Sequence, residues 1–209
     1  SDEHFRLMRP IMQLYADGGG KTITVPITHR PWNGQTYDAF PNMITWMKKA
    51  DGTWAFDYTA FDKWVEFMTG LGINKQISCY SMIPWKLSFT YLDQATNSFK
   101  AIDAKPGDKA YEQLWTEMLR SFAAHLKEKG WFDITYIAMD ERQLKDMLAT
   151  LEVIRKADSG FKVALAGSYH KELEDKLDDY CVIINEDFPA ESIARRRAAG
   201  MNSTFYTCC

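Results

Sequence analysis

Hydrophobic positions along this chain switch repeatedly between a helical and a strand-like period. Phe5, Leu7, Met8, Ile11, Met12, Leu14 and Tyr15 fall near a 3.6-residue repeat, which predicts an amphipathic helix over His4–Asp17 stopped by Gly18-Gly19-Gly20. Lys21–Thr28 is a short β-branched run and reads as a strand. A long aromatic loop holding His29, Arg30, Trp32, Tyr37 and Phe40 follows. Beyond it, Trp46, Met47 and the DGTW turn around Gly52 predict a small hairpin. Phe61, Trp64, Val65, Phe67, Met68 and Leu71 mark the apolar side of a helix over Asp57–Leu71, and Ile73–Tyr80 reads as the next strand. Ser81–Pro106 reads as a second long loop carrying Trp85, Phe89 and Tyr91. Helical spacing returns over Asp108–Lys129 through Tyr111, Leu114, Trp115, Met118, Leu119, Phe122 and Leu126, and Gly130 closes that helix. The rest alternates: strand Ile134–Met139, helix Gln143–Ala157, strand Phe161–Ala166, a helix near Lys171–Leu177, strand Tyr180–Asn185, a helix near Ala190–Ala199 and strand Ser203–Cys208.

Strands separated by helices indicate βαβ units and a parallel sheet. The expected fold class is therefore α/β, as a TIM-type (β/α)8 barrel. Six strands are counted, and a complete barrel takes about 250 residues. The chain also opens on a helix and ends directly after an apolar strand. Residues 1–209 are thus expected to form one partial catalytic barrel domain, a fragment lacking the first and last strands. The alternative is a doubly wound open sheet, which ordinarily carries a Gly-rich phosphate loop after its first strand; none is found here.

Composition narrows the function classes. A net charge of −3 and a pI near 5.8 leave no basic footprint, so no nucleic-acid partner is expected. No apolar run is long enough to span a membrane. Cys79, Cys181, Cys208 and Cys209 contain no CxxC pair and read as buried free thiols. His4, His29, His125 and His170 show no metal spacing such as HExxH, so neither a metal nor an organic cofactor is expected. The Arg195–Arg197 run reads as a solvated helix face. Seven Trp, ten Tyr and twelve Phe exceed what a small core needs, and those in loops offer flat apolar faces on which sugar rings can stack.

The chemistry concentrates at Ile134–Arg142, ITYIAMDER, where an apolar strand ends in the adjacent carboxylates Asp140 and Glu141. The C-terminal ends of parallel strands are where such folds mount catalytic groups. Two carboxylates in a sugar-sized cleft suit glycosidic cleavage, but adjacent residues do not fit the scheme that sets two acids about 5–9 Å apart across the bond. They fit substrate assistance instead. There a 2-acetamido oxygen attacks the anomeric carbon, one carboxylate orients the acetamide and the other transfers the proton. Three other readings remain open. Asp140 could cap the helix after it while Glu141 pairs with a surface Arg, Glu141 could work with a distant acid such as Asp187 in a two-carboxylate glycosidase, or the chain could be a non-catalytic carbohydrate-binding or structural barrel fragment. His29 and Trp32 follow one strand, Tyr80 and Trp85 the next, and Tyr206 lies near the last. All are candidate substrate-binding residues at the same edge. Asn185, Glu186 and Asp187 follow a strand too and read as a solvated loop.

ITYIAMDER resembles the Asp-Glu signature of glycoside hydrolase family 123, the bacterial β-N-acetylgalactosaminidases. ITHRPWNGQTYD, KWVEFMTGLGINKQISCYSMIPW and the terminal STFYTCC are similar to that family as well. The resemblance implies a (β/α)8 barrel with an accessory β-sandwich and retaining, substrate-assisted chemistry on a glycan ending in β-linked N-acetylhexosamine. By the same resemblance Asp140 would orient the acetamide and Glu141 would be the acid/base. A glycan substrate implies a secreted or periplasmic protein, and open sheet edges in a partial barrel imply oligomerisation.

Overall fold

In a computed structural model that describes residues 2–38 and 40–207, two sheets share one core. The larger sheet contains β1 (Thr22–Pro26), β4 (Gln76–Tyr80), β7 (Thr135–Met139), β8 (Lys162–Gly167), β9 (Asp179–Ile183) and β10 (Asn202–Tyr206), in that order across the sheet. All five pairings are parallel. Each strand therefore adds on the same side of the one before it, and right-handed crossovers place the connecting helices on one face. Those helices are α2 (Thr59–Thr69), α3 (Lys109–Lys129), α4 (Leu144–Ala157) and α5 (Ala190–Ala198).

The barrel expectation is corrected here. The sheet has six strands, not eight, and β1 and β10 are edges with no pairing between them, so this is not a closed (β/α)8 barrel. Nor does the strand order reverse anywhere, as a doubly wound sheet would require. Alternation of strand and helix dictates parallel pairing but says nothing about closure, which depends on strand number and stagger.

Strand periodicity sorts the side chains onto two faces. Ile23 and Val25, Ile77 and Cys79, Ile137 and Met139, Val163 and Leu165, and Tyr180 and Val182 are buried toward the helices. The opposite face carries Tyr136, Ala138 and Ala164, with Tyr80 packed on them. α3 supplies the largest apolar payload: its predicted stripe from Tyr111 to Leu126 is buried. Gly130 ends it at φ 73°, a left-handed conformation that costs a β-carbon-bearing residue more.

The smaller sheet has the order β3-β2-β5-β6. The expected hairpin is present as β2 (Thr45–Lys48) and β3 (Trp54–Asp57), but the stretch read as a second long loop holds another hairpin, β5 (Ser88–Asp93) and β6 (Ser98–Asp103). β2 and β5 pair in parallel through Met47–Leu92 and Lys48–Asp93. Excursions after β1 and β4 thus fuse into one unit. Fully buried Trp115 of α3 anchors it, meeting Trp46 edge-on at 5.0 Å and Phe89 at 5.5 Å between ring centroids. Truncating Trp115 to Ala would cost about 3–5 kcal/mol.

Other expectations change in detail. The helix near Lys171–Leu177 is only a 3-10 turn at Lys171–Leu173. The first helix, α1 (Asp2–Asp17), buries no residue: it leans on α2 through Phe5 and Phe67, leaving Leu7, Ile11 and Leu14 exposed. Cys79 is a buried free thiol and Cys181 a half-buried one, whereas Cys208 and Cys209 lie outside the described residues.

Arg196 overturns the solvated-face reading of the arginine run. It is 2% exposed, and its guanidinium donates to Ser203 Oγ (2.9 Å) and to the carbonyls of Glu174, Leu177 (2.9 Å) and Asn202 (2.6 Å). Burial pulls its pKa below the ordinary arginine value, while the charges near it push back. Arg195 pairs with Glu174 at 2.6 Å. Burial raises the Glu174 carboxyl, but hydrogen bonds from Ser192, Tyr169 and Arg195 outweigh it and hold the group below the usual carboxylate range.

Candidate active site

Because every strand of the large sheet runs the same way, all C-terminal ends reach one edge, the end at which parallel β/α folds mount catalytic groups. Trp32, Gln35, Trp85, Asp140, Glu141, Ala166 and Tyr206 line a cavity of about 170 Å³ at that edge. This is below the roughly 300–1,000 Å³ of drug-sized pockets, room for about one ring. A larger cleft of about 710 Å³ lies elsewhere, between the small sheet and α3, and no residue from the large sheet's strand ends lines it.

Two loops build the aromatic walls. Thr28 Oγ1 donates to the Ser81 carbonyl at 3.1 Å, and the Trp85 N–H donates to the Pro31 carbonyl at 2.9 Å. These bonds stitch the segments after β1 and β4 side by side. Trp32 then packs against Tyr80 (5.4 Å, tilted) and Phe40 (5.3 Å, edge-on). Tyr80 therefore sits beneath the wall rather than in it.

The carboxylates leave the end of β7 before α4 begins. Gln143, not Asp140, occupies the N-cap, and no side chain caps that helix, so the capping reading of Asp140 fails. Asp140 is pushed up to about 6, chiefly by burial. The indole N–H groups of Trp32 and Trp85 and the charge of Arg142 pull it down, and the Glu141 charge pushes it up. Trp85 Nε1 is buried without a partner of full hydrogen-bond geometry, so its effect on Asp140 is that of a nearby dipole rather than a formed bond. Glu141 is exposed, and the Tyr206 hydroxyl donates to its Oε1. No surface Arg pairs with Glu141 among the described residues; instead Arg142 stacks over the Trp85 ring at 4.8 Å. Beneath Glu141 lies Gly167, where a Cβ would stand 3.4 Å from the Glu141 Cα.

The family model for the catalytic domain of glycoside hydrolase 123 matches residues 1–209. The chain belongs to glycoside hydrolase family 123. A solved structure of a family 123 glycoside hydrolase from Clostridium perfringens, the subject of a study of glycolipid glycan hydrolysis, superposes with a TM-score of 0.92 at 37% identity. That match covers 100% of this chain and 39% of the clostridial one. A comparison with curated proteins finds no match.

Of the residues the sequence singled out, Trp32, Trp85, Asp140, Glu141 and Tyr206 meet in that cavity. His29 does not; it lines a separate hollow with Arg30, Asn33, Lys86, Ser88 and Thr90. Asp187 is exposed and absent from the cavity lining, and Glu186 is held by Ser168 Oγ (2.7 Å) and the Tyr169 N–H (2.9 Å). Gln35, Arg142 and Ala166 were missed. Gln35 stands three residues beyond Trp32 and Arg142 directly after Glu141, so chain proximity was the available signal. Among the described residues no group of three or more His, Cys, Asp or Glu side chains is placed to hold a metal, and no helix is long and apolar enough to cross a membrane.

Proposed function

We propose that this domain removes a terminal β-linked N-acetylhexosamine, N-acetylgalactosamine foremost, by retaining, substrate-assisted hydrolysis. The observation that carries the reading is the cavity lining, in which Asp140 and Glu141 are the sole carboxylates among the described residues. A two-acid mechanism needs a second carboxylate across the bond, and Asp187 does not line the cavity. With no further acid in that lining, the reading takes its nucleophile from the substrate's own acetamide.

The roles follow from the surroundings. Asp140, with a pKa of about 6, is mostly ionised at neutral pH and able to accept the acetamide N–H. That contact aligns the acetamide oxygen with the anomeric carbon and offsets the positive charge that grows as the oxazolinium ring closes. Glu141 protonates the leaving oxygen and then removes a proton from the incoming water. Tyr206 occupies one Glu141 oxygen and leaves the other for that transfer. The hydroxyl of Tyr206, in the same lining, is a donor for the acetamide oxygen once substrate displaces it. Trp32 and Trp85 supply the stacking faces. The glycan of a glycolipid, named for the clostridial relative, is the substrate source we favour.

The test is binding of a cyclised-acetamide (thiazoline) mimic of the intermediate. It should bind at least ~100-fold more tightly than N-acetylgalactosamine, as intermediate mimics do. Equal affinity would exclude substrate assistance.

A further inference from the structure

Arg142 follows the carboxylate pair directly, yet neither the acetamide contact nor the proton transfer uses it. Its guanidinium carbon lies 4.8 Å from the centroid of the Trp85 ring, inside cation–π range. Its Nε is buried and has no hydrogen-bond partner. An arginine that staples a fold looks different: Arg196 satisfies its donors with a hydroxyl and three backbone carbonyls. An unsatisfied buried donor is costly, so the side chain is held for its plane and its charge rather than for hydrogen bonds. Trp85, in turn, is pinned by its backbone N–H to Pro31, its indole N–H is buried without a partner, and it lines one cavity with Asp140.

We propose that Arg142 is a positioning residue that keeps the Trp85 indole N–H against the Asp140 carboxylate. The planar guanidinium matches the ring it covers, a match that a lysine ammonium cannot reproduce. The groups that bear on Asp140 are Glu141 and Arg142 beside it, the Trp32 and Trp85 indoles, and Tyr80 from β4. Arg142 is the cation in that set, so its loss is not compensated locally.

The inference rests on Asp140 being the acetamide-orienting carboxylate, but its test does not require turnover. The Asp140 carboxyl carbon is followed by NMR against pH in the native protein, Arg142→Met, Arg142→Lys, Trp85→Phe and the double variant Arg142→Met/Trp85→Phe, with Asp140→Asn assigning the signal. Arg142→Met and Trp85→Phe should each move the midpoint up by about 0.5–1 pH unit, Arg142→Lys should recover only part of that shift, and the double variant should move less than the sum. An unmoved midpoint in Arg142→Met, full recovery in Arg142→Lys, or strict additivity would overturn the positioning role. Should Arg142→Met fail to fold, the Lys and Phe variants decide it between them. Turnover of an aryl β-N-acetylhexosaminide by the native protein is read separately. Its absence alongside the expected shifts rejects the catalytic reading alone; its presence with an unmoved midpoint rejects the positioning role alone.

Discussion

Arg196 and Asp140 are both charges drawn away from water, and the protein treats them in opposite ways. Around Arg196 the donors find acceptors in the Ser203 hydroxyl and three carbonyls, and the neighbouring Glu174 is surrounded by three donors. Around Asp140 the partners are half-made: two indole dipoles, one stacked arginine and a like charge next door. A saturated network fixes geometry and leaves nothing for a ligand. An unsaturated one stores its cost until a substrate completes it. That difference separates the region that closes the fold from the region proposed to carry the chemistry.

The contrast can be broken by substitution. Glu141→Gln should lower kcat/KM for aryl β-N-acetylhexosaminides by about 10²–10⁴ while leaving thermal unfolding unchanged; undiminished turnover would take Glu141 out of the mechanism. Arg196→Met should do the reverse, costing about 3–5 kcal/mol in urea unfolding because the carbonyls it serves lose their donor. A variant within 1 kcal/mol of the native protein would show that this network is dispensable.

Asp140→Asn joins the two behaviours. Asp140 has a folded pKa of about 6 against an ordinary 3.8, so the folded state holds the extra proton between those values. Its stabilising contribution is complete below about pH 3.8 and is lost as pH rises through 6. Asparagine should therefore stabilise the protein by about 3 kcal/mol at pH 8, with little gain near pH 4, while abolishing activity. Calorimetry at the two pH values checks the sign. For the native protein, the acid limb of kcat/KM should fall near pH 6. The smallest effect is expected at Gln35, a neutral hydrogen-bonding side chain at the cavity edge. Gln35→Ala should raise KM about 3–10-fold with kcat little altered, and an unchanged KM would leave it outside substrate binding.

Local pattern made much of this legible. Asp108–Lys129 and Gln143–Ala157 match α3 and α4 to within a residue, because long apolar stripes with a glycine or a strand behind them leave little choice. ITYIAMDER placed the carboxylates at a strand end, and the aromatics after neighbouring strands arrived at the same edge. Closure was not legible, since βα alternation is locally the same in an open sheet and a closed one. The β5–β6 hairpin is hard to see in the sequence because Phe89 and Tyr91 alone carry its alternation and β6 is almost wholly exposed. Arg196 escaped because a run of three arginines looks uniform until the helix turns one of them inward. His29 went astray because following the right strand does not decide which side of a loop a side chain leaves from.

The parallel pairing of β2 with β5 has a consequence for motion. It ties the excursion carrying Trp32 to the one carrying Trp85, so neither aromatic wall can swing out without breaking the ladder they share. The two should open as one cooperative unit, with amide protons on β2 and β5 exchanging at a common rate. The cavity mouth then behaves as a frame whose width is set in advance by the pairing behind it, so a ligand would be sorted by its shape rather than by closure around it.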